Sequence, residues 1–91
     1  MQASRSKTFF KCCTGKVGVA EVRGAVSMFI AGLESDGVPG PFDALEVRIR
    51  PEEAQEGLLT AWENAGEPYK LVLDEGVFAG RFHCELAQVQ D

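Results

Sequence analysis

Between Leu45 and Arg50 the chain alternates strictly, with Leu45, Val47 and Ile49 on one side and Glu46, Arg48 and Arg50 on the other. That is the pattern of a β-strand with one face in water. At Pro51 the period changes. Proline suits a first helical turn, and Glu52 and Glu53 fall where carboxylates complement a helix N-terminus. Ala54, Leu58, Ala61, Trp62 and Ala65 follow as one apolar stripe, so a helix is expected over about residues 51–65. Gly66 caps it and Pro68 keeps it from resuming. Gly57 falls inside this helix, where it costs about 1 kcal/mol relative to alanine.

Two further apolar runs, Tyr69–Asp74 and Val77–Val89, flank Glu75 and Gly76 and are expected to form a hairpin. In its second strand Phe78, Phe82, Cys84 and Leu86 face one way, and Arg81, His83 and Glu85 the other. The phase slips after Leu86, which suggests a bulge. The expected core is therefore Leu45, Val47, Ile49, Leu58, Trp62, Leu71, Leu73, Phe78, Phe82 and Leu86.

The first half is less regular. "MQASRSK" is polar and is expected to be a mobile basic arm over residues 1–7, ahead of a single α+β domain over residues 8–91. "TFFKCCT" and "VGVAEVR" read as two short strands about a turn at Gly15 and Lys16. "AVSMFIAGL", Ala25–Leu33, is too short to assign by period; the glycines at 24 and 32 favour a buried strand. "ESDGVPGPFD", Glu34–Asp43, is a loop by its glycines and prolines. The expected fold class is α+β: a mainly antiparallel sheet, sandwich or partly closed barrel with one helix packed on it.

Ninety-one residues with 45% hydrophobic and 25% charged content fit one small globular domain. No apolar run reaches a membrane span, and none follows the first basic residues as a signal peptide would, so a cytoplasmic setting and no membrane are expected. The net charge of −5 is unevenly placed. Residues 1–33 carry Arg5, Lys7, Lys11, Lys16 and Arg23 against Glu21 alone, net +4, which leaves −9 for the remainder. A chain so divided can dock head to tail on copies of itself, or be a frayed basic terminus on an acidic domain. Overall acidity argues against specific nucleic-acid binding.

Candidate chemistry is sparse. "TGKVG" lacks the first glycine and the hydroxyl residue of a phosphate loop and reads as a turn. Cys12, Cys13, His83 and Cys84 are in number a zinc ligand set, but neighbours on a strand point to opposite faces, and metal ligands are usually spaced by two to four residues. Buried reduced thiols and a surface histidine are the expectation, with no metal and no cofactor. A Cys84 bond to Cys12 or Cys13 is conceivable if their strands are neighbours. The acidic pairs Glu52–Glu53 and Asp74–Glu75 are explained by helix-start and turn chemistry. No residue set specifies a reaction, and the chain is read as a non-enzyme.

"LEVRIRPEEAQEGLLTAWENAGEPYKLVL" and "GVFAGRFHCELAQV" together resemble small structural proteins of tailed bacteriophages, the tail-tube-like proteins related to the type VI secretion tube. The resemblance covers about half the chain. It implies a β-sandwich with one flanking helix that self-associates, as a ring in its fullest form, with other virion proteins as partners and the virion as location. Expected at the interfaces are Arg5 and Lys7 of the arm, Phe9 and Phe10 of the first strand, and Val38, Pro39 and Phe42 of the loop. The competing reading is a small acidic monomeric binding or inhibitor protein, phage-encoded, that blocks a host factor.

Overall fold

A computed structural model describes residues 2–11 and 16–89. Strand β1 (Gln2–Phe10) leads to helix α1 (Val19–Ser35) and strand β2 (Leu45–Ile49). A 3-10 turn at Pro51–Glu53 and helix α2 (Leu58–Asn64) connect β2 to β3 (Lys70–Leu73), and β4 (Arg81–Val89) closes the chain. The fold is α+β. Its four strands form one mixed sheet in the order β1-β4-β2-β3. β4 is antiparallel to both β1 and β2, whereas β3 lies parallel to β2 through the α2 crossover.

Register places Leu45, Val47 and Ile49 of β2 on one sheet face with Leu71 of β3 and Phe82, Cys84 and Leu86 of β4. Both helices cover that face. α1 contributes Val22, Ala25, Val26, Phe29 and Leu33, α2 contributes Leu58 and Trp62, and all of these join one core cluster. The shortest extent, 22 Å, is that of a sheet and a single helix layer. Trp62 Nε1–H donates to Tyr69 O at 2.8 Å, so the one polar atom of this buried ring is satisfied where α2 turns into β3.

Several expectations are corrected. Residues 2–7 are no arm: Gln2–Phe10 pair rung by rung with β4, from Gln2 opposite Val89 to Phe10 opposite Arg81. That unbroken register also leaves no bulge after Leu86. The run Ala25–Leu33 is helical. Gly24 and Gly32 are exposed and nothing lies within 4 Å of where a Cβ would stand, so they sit on the solvent side of α1 rather than marking a strand. The helix expected over 51–65 is interrupted. Ala54 forms a bridge with Val17, and α2 starts only after Gly57, which adopts φ +76° at its N-cap. β3 and β4 are not a hairpin, because β2 lies between them.

Of the expected core residues, Leu45, Val47, Ile49, Leu58, Trp62, Leu71, Phe82 and Leu86 are buried. Leu73 is half-buried, and Phe78 is 78% exposed; the neighbouring Val77 is buried, but outside the core cluster. Phe78 precedes the first rung of β4, so the alternation that orients Phe82 does not reach it. No helix among the described residues is long and apolar enough to cross a membrane.

Candidate functional site

The face of the sheet opposite the helices carries alternating polar side chains. One row across the strands is Thr8, His83, Arg48 and Val72; the next is Ser6, Glu85, Glu46 and Lys70. Arg48 sits at the centre, its Nη2 donating to Glu46 at 3.1 Å and its Nη1 to Asp74 at 3.3 Å. The hydrogen bond to Glu46 raises its pKa against the opposing effect of burial, and the charges of Glu46, Glu85 and Asp74 add to the rise. Thr8 Oγ1 and His83 Nδ1 share a hydrogen bond of 3.2 Å, while His83 Nε2 stands 3.9 Å from Glu85. Beside them a hollow of about 350 Å³ is walled in part by Arg48, Asp74, Phe78 and His83.

A hydroxyl beside an imidazole has the outline of an activated nucleophile, but the orienting carboxylate at 3.9 Å is outside hydrogen-bond range. Thr8 is exposed at the rim of this hollow, which is open to water. The arrangement is a charge-laced sheet face. At its corner Arg50 holds Glu52, and its Nη1 donates to Glu75 O and Val77 O, both at 3.1 Å, tying the 75–77 turn to the end of β2.

Of the four candidate metal ligands, His83 and Cys84 are described, and they are turned to opposite faces of the sheet. His83 lies on the open face, Cys84 points into the core, and Cys12 and Cys13 lie outside the described residues. Among the described residues no group of three His, Cys, Asp or Glu side chains is placed to hold a metal ion. Burial pushes the Cys84 thiol up to about 12, so it stays protonated and unreactive.

The residues expected at interfaces separate into three places. Arg5, Lys7 and Phe9 line the helix side of β1, where a groove of about 430 Å³ runs between that strand and α1. Arg5 lies 3.9 Å from Asp36, Lys7 rests 5.2 Å from the Phe9 ring, and Phe9 meets Phe29 edge-on with centroids 6.5 Å apart. Phe10, 75% exposed, is on the open face with the Arg81 guanidinium 3.7 Å from its ring centre. Of the three residues expected at interfaces in the 34–43 loop, only Pro39 is exposed. Val38 is a correction, because it is buried in the core with its N–H bonded to Leu33 O, and Phe42 packs against that core.

Sequence reasoning missed a second groove, at the other end of the sheet. It runs between β3 and α2 as two adjoining hollows, of about 340 and 200 Å³, which share Leu59. The acidic residues spaced along α2 and its flanks, Glu56, Glu63 and Glu67, were the available signal. No family model, curated protein or solved structure matches this chain.

Proposed function

We propose that this protein is a non-enzymatic structural component that acts by self-association, with a virion or phage tail as its setting and a closed ring as its assembled form. One observation carries the reading: among the described residues the strand order leaves an edge strand, β1 or β3, at each end of the sheet with its outer side unpaired. Lys11 N–H donates to Gly80 O at 2.7 Å, so by alternation Arg5, Lys7 and Phe9 turn their backbone groups toward β4. Ser4, Ser6, Thr8 and Phe10 turn theirs outward. At the far end Asp74 N–H donates to Ile49 O at 2.8 Å, which leaves the backbone groups of Leu71 and Leu73 pointing away from the sheet.

Such rows are templates for a further strand. β1 and β3 run in the same direction, both opposing β4. A rotation about an axis along the strands therefore lets β1 of one copy pair in parallel with β3 of the next, and a closed ring leaves no edge exposed. A second reading, a monomeric binding protein, draws support from Phe10 and Phe78, which are left 75% and 78% exposed beside the open face.

Solution mass across a concentration series, with electron microscopy of the concentrated sample, tests the proposal. Oligomers that disperse on Ser6→Pro, which removes an outward N–H, are expected. A wild-type chain that stays monomeric throughout would overturn it. Deleting residues 1–7 is not an equivalent test, since it strips most of β1 from β4.

A further inference from the structure

Resting on the self-association reading, we infer that the partner of the β1–α1 groove is the β3–α2 groove of a second copy, docked head to tail and selected by charge. The two ends of the molecule are alike in build and opposite in sign. Each groove lies between an edge strand and a helix. The first is lined by Arg5 and Lys7 against Asp36, with Met28 of α1 exposed at 54% as its apolar contact. The second is flanked by Glu56, Glu63 and Glu67 against Lys70, with Leu59 of α2 exposed at 41%. Met28 and Leu59 are two of the four large apolar side chains left exposed among the described residues, and one stands at each groove.

The charges also disfavour the symmetric alternative in its central registers. In a two-fold β1–β1 pairing centred on Ser6, Arg5 would stand opposite Lys7 of the other copy, and centred on Lys7 that residue would face itself. Like charges directly opposite destabilise a strand pair. A β1–β3 pairing sets the basic groove against the acidic one, which steers encounter and fixes register. Glu67 is already held by Arg23 of its own chain, so Glu56 and Glu63 are the acids offered to the neighbour.

Charge reversal and rescue test this on the whole chain. One variant carries Arg5→Glu with Lys7→Glu, the other Glu56→Lys with Glu63→Lys; all four positions are exposed, and circular dichroism checks that each variant folds. Each variant alone is expected to associate at least about tenfold more weakly than wild type, because two like-charged grooves now meet. Mixing the two variants restores opposite pairs at every junction, as does a chain carrying all four changes, and association should return in both. Wild-type association should also weaken as salt rises from about 50 to 500 mM. If wild type associates but the variants do so equally well, or the mixture gives no rescue, the charge-selected docking fails while self-association stands. If wild type is monomeric even at low salt, both fail.

Discussion

Glu53 Oε2 accepts a hydrogen bond of 2.8 Å from the backbone N–H of Gly80, 27 residues further along the chain. The same carboxylate lies 3.3 Å from Lys11 Nζ, both side chains being largely buried. One carboxylate thus ties the segment after β2 to the end of β1 and the start of β4, which are already paired with each other. Replacing it by alanine removes the acceptor of the Gly80 N–H and the carboxylate beside Lys11, and should cost ~1–3 kcal/mol of stability in urea unfolding. Glu53→Gln keeps an acceptor for Gly80 and should cost clearly less.

The same group predicts a pH dependence. Burial disfavours its charged form, but the Gly80 hydrogen bond and the nearby Lys11 together outweigh burial and hold its pKa below the ordinary glutamate value. With a folded pKa lower than the unfolded one, the unfolded chain binds more protons through that interval. The contribution is complete above the unfolded value and is lost as pH falls through the folded one, from about pH 5 downward. Urea midpoints measured from pH 7 to 3 should fall more steeply for wild type than for Glu53→Gln.

Trp62 shows that a buried ring here is positioned by more than its area. Its Nε1–H bond to Tyr69 O fixes where α2 stops and β3 begins. Trp62→Phe retains most of the packing but leaves that carbonyl without its donor, at ~1 kcal/mol. Trp62→Ala adds a cavity and should cost ~3–5 kcal/mol. A Phe variant as unstable as the Ala variant would mean that the hydrogen bond, not the ring volume, dominates.

The parts of the fold legible in the sequence were those fixed by local period. Leu45–Ile49 alternates because one face of β2 is buried, and its burial follows the same alternation. α1 was also written in the sequence, but over a longer window than Ala25–Leu33: Val22, Ala25, Val26, Phe29 and Leu33 are a helical stripe, and Glu21 reaches back to Gly18 N–H at 2.8 Å as a helix start. The hairpin failed for a different reason. Gly76 N–H does bond Asp74 Oδ1 at 2.8 Å, so the chain does turn there, although Gly76 does not adopt the positive φ that its place in a turn suggests. Turn residues say where a chain reverses, not which strand it then pairs with, and β4 pairs across β2 and β1 instead. The grooves at the two sheet edges could not be foreseen without that strand order.

Phe78 and Phe82 make this distinction measurable. An unbroken hairpin would bury both on one face; in the fold found, Phe78 is 78% exposed and Phe82 1%. Phe78→Ser should leave stability within about 0.5 kcal/mol of wild type, while Phe82→Ala should cost ~3–5 kcal/mol. Equal losses at the two positions in thermal or urea unfolding would contradict the strand order.

Gly57 gives the sharpest contrast between the two readings, because they predict opposite signs. A glycine inside a helix over 51–65 would be improved by alanine, stabilising by about 1 kcal/mol. In the structure Gly57 lies before α2 with φ +76°, a left-handed conformation that alanine adopts at a cost of about 1 kcal/mol or more. No atom lies within 4 Å of where its Cβ would be, so steric crowding adds nothing and the backbone term alone sets the sign. Gly57→Ala should therefore lower the urea midpoint with its slope unchanged. A raised midpoint would show that α2 extends back through this residue, and with it that the bridge between Val17 and Ala54 does not form.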